Sequence, residues 1–252
     1  LIMSLPRSSA TIRRIKIPAQ EPQEIKKIVS LQAPRYLPYP ANELITGYQV
    51  ISCDKEGYAE VNLVIVHKDV IERYLKILQE LNAKEVIINL SSFGICNLYG
   101  HIKQDAASAA MVVDIDSESI ELAVVSHKKL LFSRYFKLDR KKSGWETQFI
   151  EEIRKTMDVY TKEQREEPPR KIIILGKPEL ADEFAHLLDK EAGLSVEAVP
   201  YYEKIGLEIN LVNKLSDSDI SFASLFGLAI EKTEDSLNLL PQDTKDKLSS
   251  LS

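Results

Sequence analysis

The stretch MVVDIDSESIELAVVSHKKLLFSRYFKL, residues 111–138, decides the fold class of this chain. It consists of three runs of strand-forming residues, which are separated only by the short polar connections SE and HKK. Connections of this length join neighbouring antiparallel strands, because a parallel pair needs a crossover of about a dozen residues or more. The stretch therefore predicts an antiparallel meander of three strands.

Helical and strand patterns alternate after the meander. Apolar residues recur at helical spacing from Trp145 to Tyr160, and the runs KIIIL and SVEAV predict two strands on either side of the helix PELADEFAHLLDKEAG. The run DISFASLFGLAI predicts the last helix. A meander followed by crossovers makes one mixed sheet with helices on both faces. This is the element order of one lobe of the ribonuclease H-like α/β fold, although order alone assigns no function.

The residues before the meander predict a separate set of elements. Two short strands, LIMSL and ATIRRIKIP, precede a helix in EPQEIKKIVSLQA. The runs LITGYQVIS and YAEVNLVIV favour a hairpin, and the helix DVIERYLKILQELNA and the buried strand EVIINL follow it. Ser91 or Ser92 can cap a short helix after this strand.

Composition excludes several classes of protein. The chain has 252 residues, enough for one large domain or two lobes, and a net charge of -5 with both signs well mixed. Nucleic-acid binders usually show a basic stripe, so no nucleic-acid partner is expected. Cys53 and Cys96 are far apart, which disfavours a disulfide scaffold or a zinc site and favours a reducing compartment. No window approaches the roughly 18 apolar residues of a membrane-spanning helix.

Four acidic residues, Asp114, Asp116, Glu118 and Glu121, stand in the apolar meander. A calcium loop needs Gly at its sixth position, where this chain has Ser119, and it needs flanking helices rather than strands. The turn of a phosphate-binding hairpin is the alternative, with an Asp at the strand end that fixes a hydrated magnesium ion. Glu118 and Glu121 are then expected to be solvated strand positions.

Residues 111–138 resemble the second phosphate motif of the PilM family of type IV pilus assembly proteins, which are actin-like ATPase relatives of FtsA. The resemblance implies that Asp114 is the family's Asp and a weak candidate for magnesium, and that Ser117 and Ser119 supply the small polar residues of the turn. Asp116 stands where the family has Gly, and its carboxylate would repel a phosphate at short range. The resemblance therefore implies a degenerate nucleotide site.

The resemblance continues to the end of the predicted lobe. Gly176 matches the first Gly of the family's adenosine-side turn, whereas Lys177 replaces the second and VPYY replaces the usual Asn-Pro. Gly227 lies in a Gly-Leu-Ala core like that of the family's last helix. These residues complete the candidate nucleotide site, for which ATP and magnesium are possible ligands although no cofactor is expected.

The resemblance also implies a domain organisation. It assigns residues 1–17 and 91–107 to the remnant of a first actin-like lobe and residues 18–90 to the small inserted subdomain of FtsA and PilM. Residues 108–232 form the second lobe, and residues 233–252 form a tail. The first phosphate hairpin, Asp-(Ile/Leu)-Gly, is missing before Leu5, so either this chain lacks its natural N-terminus or that lobe has decayed.

The tail contains LNLLPQDTK, which resembles the Ile-Asn-Leu-Leu-Pro motif of PilN, the peptide by which PilN binds PilM. The candidate partner-binding residues share this motif: Leu237, Asn238, Leu239, Leu240 and Pro241. The resemblance implies a PilN-like segment fused to a PilM-like domain, with a membrane helix just beyond Ser252 as in the secretion protein GspL. A compatible alternative is an amphipathic tail that packs on its own domain.

The favoured function is a non-catalytic scaffold in the inner-membrane platform of a type IV pilus or type II secretion system. Its expected partners are PilN- or GspL-type inner-membrane proteins, with a homodimer left open, and its expected location is cytoplasmic, peripheral to or tethered at the bacterial inner membrane. The alternative is an ATP binder or slow ATPase that uses Asp114 and Gly176. A sugar or acetate kinase is disfavoured because no catalytic Asp in a suitable motif can be located.

Overall fold

The protein is described here by a computed structural model that covers residues 1–81, 83, 85–103, 108–163, 168–176, 178–189, 193–216, 220–231, 237–241 and 244. The chain packs as two units. The first consists of Leu1–Leu90 and Glu231–Ser252, and the second consists of Ser91–Ile230. The predicted domain boundaries refer to the lobes and the insert of PilM-like proteins, which are not the same as these two compact units. Those boundaries therefore stay a prediction.

The first unit contains two sheets. Its elements are β1 (Ile2–Leu5), β2 (Ala10–Ile17), α1 (Pro22–Gln32), β3 (Leu44–Cys53), β4 (Ala59–His67), α2 (Lys68–Glu80) and β5 (Ile87–Leu90). Strands β2, β4 and β3 form a three-stranded sheet in that order, with antiparallel pairs, so the predicted hairpin of β3 and β4 is confirmed. Strands β1 and β5 form a parallel pair.

Strand β4 is the centre of the first unit, and its residues from Val61 to Val66 are buried. Alternation along the strand divides them between two faces. Leu63 and Ile65 belong to the core cluster that Ile25 and Val29 of α1 also join. Val64 points to the opposite face, where Gly47 of β3 is its neighbour in the sheet. The face away from α1 therefore has a position without a side chain.

The second unit is built on one mixed sheet. Its elements are α3 (Ser91–Ile102), β6 (Ala110–Ile115), β7 (Ser119–Ser126), β8 (Lys129–Lys137), α4 (Trp145–Glu163), β9 (Lys171–Gly176), α5 (Pro178–Asp189), β10 (Ser195–Ala198), α6 (Tyr201–Lys204), α7 (Ile209–Ser216) and α8 (Ala223–Ile230). The five strands follow the order β10-β9-β6-β7-β8. Strands β6, β7 and β8 form the predicted antiparallel meander, and β9 runs parallel to β6.

Strand β6 is buried at every position because it lies in the middle of this sheet. Its near-continuous apolar sequence is typical of a strand covered on both faces. The one charged side chain in it, Asp114, comes one residue before its end. Helices α6 and α7 were not predicted. Both are short, with four and eight residues.

Helices α3 and α8 cross at two glycines. A Cβ atom on Gly227 would lie 1.7 Å from the carbonyl oxygen of Gly94, and a Cβ atom on Gly94 would lie 2.1 Å from that of Ser224. The two backbones therefore approach more closely than any other residue type would allow. In the part of the chain that the structure describes, no helix has the length and apolar character that a bilayer crossing requires.

Candidate functional site

The turn between β6 and β7 contains the acidic residues singled out in the sequence. The N–H of Asp116 donates to the carbonyl of Ser119 at 2.9 Å, which closes the turn. The N–H of Ser117 donates to Oδ1 of the Asp116 carboxylate, also at 2.9 Å. Ser117 is exposed and Ser119 is half-buried. A backbone donor of this turn is therefore bonded to a carboxylate that the turn itself supplies.

Ser221, which lies just before α8, binds both acids of the turn. Its hydroxyl donates to Oδ1 of Asp114 at 2.5 Å, and its N–H donates to Oδ1 of Asp116 at 3.3 Å. The same hydroxyl accepts the N–H of Ala223 at 3.3 Å and so caps α8. Asp116 consequently accepts one backbone N–H group from its own turn and one from Ser221, which lies 105 residues further along the chain.

Asp114 lies in an unfavourable environment for a negative charge. Only 8% of it is exposed. Burial raises the pKa of Asp114 to about 7, the charges of Glu121 and Asp116 add to the rise, and the Ser221 hydroxyl opposes it. Burial also raises the pKa of Tyr202, with the charge of Asp114 adding to the effect. Asp114 is thus partly protonated near neutral pH.

Glu121 corrects one expectation from the sequence. It was expected to be a solvated strand position, and this is wrong because only 9% of it is exposed. Its Oε2 accepts the Ser91 hydroxyl at 2.5 Å, and its Oε1 accepts the Ser92 hydroxyl. Glu121 therefore fixes the first residues of α3 on β7. Glu118 is exposed, as expected.

Packing explains why glycine occurs at both glycine positions of the candidate nucleotide site. Gly176 ends β9 beside Ile115 and has a φ of 128°, which side chains rarely adopt. A Cβ atom there would lie 2.9 Å from the carbonyl oxygen of Ile115. Gly227 belongs to the helix crossing described above. Lys177 lies outside the described residues.

The magnesium role predicted for Asp114 concerns a carboxylate that already has a hydrogen-bond partner. Among the described residues, no group of three or more His, Cys, Asp or Glu side chains could hold a metal ion. Asp114 accepts the hydroxyl of Ser221, which occupies one of the oxygens a metal would need. The nucleotide and metal functions of these residues stay a prediction.

The tail segment Leu237–Pro241, which we call the docking segment, binds to the first unit. The N–H of Leu239 donates to the carbonyl of Ile88 in β5 at 2.8 Å. The side chain of Asn238 bridges the same strand, because its Oδ1 accepts the N–H of Ile88 at 3.1 Å and its Nδ2 donates to the carbonyl of Val86 at 3.2 Å. Its Oδ1 also accepts the N–H of Leu240 at 3.0 Å. The docking segment thus lies beside β5, held there by the main-chain bond of Leu239 and by the side chain of Asn238.

Leucine side chains provide the apolar part of this contact. Leu239 is fully buried and Leu240 is 4% exposed. A Cβ atom on Gly47 would lie 2.3 Å from Cδ1 of Leu237 and 3.1 Å from Cδ2 of Leu239. The missing side chain of Gly47 therefore makes room for both leucines. We call residues 86–88, at the start of β5, together with Gly47, the docking groove.

A family model described as the type IV pilus assembly protein PilM matches residues 1–139. The chain belongs to the PilM family. Among solved structures, a PilM–PilN type IV pilus biogenesis complex superposes with a TM-score of 0.75 at 19% identity, covering 92% of this chain and 80% of that chain. The cytoplasmic domain of EpsL, an inner-membrane component of the type II secretion system of Vibrio cholerae, gives a TM-score of 0.51 at 11% identity, covering 96% and 77%.

These likenesses confirm the predicted actin-like α/β fold of this PilM-family chain. Comparison with curated protein sequences gave no match. At 19% and 11% identity, these likenesses carry the fold alone.

Sequence reasoning missed several residues that build the two sites. Ser221 had a detectable signal, because a serine before a helical run is a common N-cap. Ser91 or Ser92 was predicted to cap α3, whereas both lie in its first turn and their hydroxyls donate to Glu121, a bond that had no signal in the sequence. Gly47 had none either, since nothing in the PilM-family resemblance connected it to the docking segment.

Proposed function

We propose that this chain is a non-catalytic PilM-type scaffold of a type IV pilus assembly platform, which carries its own PilN-like docking segment. The observation that carries the proposal is the seating of this segment on β5 through Asn238 and Leu239. The main-chain bond from Leu239 and the side-chain bonds of Asn238 fix the position of the segment on β5, and its buried leucines supply the apolar contact.

Asn238 is the residue that distinguishes this segment from an arbitrary apolar tail. A leucine-rich tail can bury itself on many surfaces, whereas an amide that both accepts from Ile88 and donates to Val86 requires one register on β5. One solved structure that the chain resembles is a PilM–PilN complex. The partners proposed for this chain are accordingly PilN- or GspL-type proteins, and its proposed location is the cytoplasmic face of the bacterial inner membrane.

The turn between β6 and β7 supports a scaffold that does not depend on nucleotide. The residues present do not fit a phosphate group, because the Asp116 carboxylate already takes the N–H groups of Ser117 and Ser221. We therefore propose that the nucleotide site is degenerate and filled by Asp116.

The first experiment tests the docking segment. A fluorescent LNLLPQDTK peptide is titrated against the full chain carrying Asn238→Ala and Leu239→Ser, which empties the groove, and against the wild-type chain. The variant is expected to bind the peptide at least tenfold more tightly than the wild type does. In the wild type, the chain's own tethered segment competes with the peptide at an effective concentration of about millimolar. A peptide with Ala in place of Asn is the control. Equal binding of both peptides would refute specific docking.

The second experiment tests the nucleotide site and the alternative function. Magnesium-ATP is titrated against the wild-type chain and against Asp116→Gly by calorimetry. No heat of binding is expected for the wild type up to about 1 mM, which corresponds to about 4 kcal/mol of binding free energy. Micromolar binding that disappears in Asp114→Ala would instead establish the ATP-binding alternative.

A further inference from the structure

We propose that two copies of this chain pair through the free edge of β3, so that their three-stranded sheets join into one continuous sheet. The partner is a second copy, related by a two-fold axis that places β3 antiparallel to its counterpart. The bonds between the docking segment and β5 take no part in this pairing. The inference therefore goes beyond the proposed function, and either one can fail without the other.

Strand β3 lies at the edge of its sheet. The strand order is β2-β4-β3, and β4 is the single strand that pairs with β3 among the described residues. The strand has ten residues, and residues 44–51 are all half-buried, as expected for a strand with a neighbour on one side only. An edge strand presents a row of N–H and C=O groups with which a further strand can pair.

The other outer strands that the structure describes are protected against such pairing. Natural proteins protect edge strands by making them short or by placing charges on them. Strands β1, β5 and β10 have four residues each, and β2 and β8 each contain three Lys or Arg side chains. Strand β3 has neither protection, because its sequence LITGYQVISC contains no charged residue. Its edge is therefore the one at which strand pairing meets the least opposition.

The chemistry of β3 favours its own sequence as the partner. A strand without charges offers no ion pair to a charged partner, and two copies of it bring no like charges opposite each other. The register shift between Val50 and Ser52 limits regular pairing to residues 44–50. Full antiparallel overlap of two such segments centres the two-fold axis on Gly47 and pairs Leu44 with Val50 of the second copy.

This register keeps both faces of the joined sheet continuous. Leu44, Tyr48 and Val50 pack against the core cluster on the α1 side of β3. Because each pair in this register joins two even-numbered or two odd-numbered residues, these side chains meet their counterparts on the same face. On the other face, Leu237 lies over Gly47, beside the axis, and is only half-buried. Each copy therefore offers the other apolar surface on both faces.

A lysine on β3 tests the pairing by analytical ultracentrifugation. Thr46 pairs with Ile65 of β4, and Thr11 of β2 pairs with the same residue from the other side, so Thr11→Lys is the matched control for Thr46→Lys. The wild-type full chain is expected to be a monomer at about 5 µM and to dimerise as its concentration approaches about 1 mM, because one strand pair makes a small interface. Thr46→Lys should raise the Kd of the dimer at least about tenfold, and Thr11→Lys less than about twofold.

Opposite charges at the same position separate this interface from other modes of self-association. In the proposed register the two Thr46 residues lie diagonally across the axis, about 7–8 Å apart, within reach of long side chains. Thr46→Lys and Thr46→Glu should therefore each stay monomeric alone, and their mixture should form a 1:1 heterodimer. A wild-type chain that stays monomeric up to about 1 mM, or equal weakening by Thr46→Lys and Thr11→Lys, would refute the pairing.

Hydrogen exchange of the wild-type chain replaces the variants if Thr46→Lys does not fold. Amides of residues 44–50 that point away from β4 should exchange more slowly at about 1 mM than at about 5 µM, because pairing with a second copy protects them. Amides of β2 should exchange equally at both concentrations. Exchange that is independent of concentration throughout β3 would overturn the inference.

Discussion

Replacing Asn238 by Ala is expected to loosen the docking segment selectively. The change removes three hydrogen bonds, from the N–H groups of Ile88 and Leu240 and to the carbonyl of Val86. A hydrogen bond contributes about 0.5–1.5 kcal/mol, and the groups left behind are only partly buried, so water satisfies some of them. We expect the free energy of opening the segment to fall by about 2 kcal/mol.

Hydrogen exchange of single amides measures this opening. The amide of Leu239 donates to the carbonyl of Ile88 and exchanges only when the segment leaves the groove. A loss of about 2 kcal/mol corresponds to roughly thirtyfold faster exchange, since 1.4 kcal/mol is a factor of ten. Amides of β6 report on the second unit and are expected to be unchanged.

Asn210→Ala is the matched control, because it makes the same chemical change at an exposed position of α7. It should leave the exchange rate of the Leu239 amide within about twofold of the wild-type rate, because surface substitutions usually change stability by less than about 0.5 kcal/mol. Unchanged exchange of Leu239 in Asn238→Ala, or equal acceleration throughout both units, would show that Asn238 does not hold the segment.

Three further predictions concern the second unit. Folding moves the pKa of Asp114 from 3.8 to about 7, so its stabilising contribution is full below pH 3.8 and is lost as pH rises through 7. Between pH 4 and pH 8 the free energy of unfolding of the wild type should therefore fall, relative to that of Asp114→Asn, by up to about 4 kcal/mol. Urea unfolding at both pH values measures this, and a difference between the two proteins that stays constant with pH would contradict it. Ser221→Ala removes the bond that opposes the shift, so an NMR titration should show a still higher pKa for Asp114. Gly227→Ala places a methyl group 1.7 Å from the carbonyl of Gly94 and should cost about 1–3 kcal/mol, seen as a lower Tm, whereas Ala229→Ser at an exposed position of α8 should change the Tm by less than about 2 °C.

The sheet of the second unit could be predicted because its signals are local. Two tight connections oblige β6, β7 and β8 to pair as a meander, and the continuous apolar sequence of β6 places it in the centre. The docking segment was predicted from a motif of five residues. Its register on β5 was not, because it depends on residues about 150 positions earlier in the chain.

The fate of the acidic residues could not be predicted from the sequence. Asp114 and Glu121 face each other in the ladder of β6 and β7, and both are buried. Charged residues in strands are usually solvated unless partners satisfy them. Here the partners are serine hydroxyls, Ser221 for Asp114 and Ser91 with Ser92 for Glu121, which the fold brings from distant segments.

On the proposed function, two sites in this chain contain a ligand that the chain itself provides: the Asp116 carboxylate in the turn between β6 and β7, and the docking segment in its groove. A site filled in this way differs from one that has decayed. An internal ligand lowers the apparent affinity for an external ligand, because only the fraction of sites that are open can bind it. Removing the internal ligand restores the full affinity. A decayed site gains nothing from the same removal. Peptide binding that appears only when Asn238 and Leu239 are replaced would therefore identify the groove as working and occupied, and the scaffold as one that a competing peptide can open.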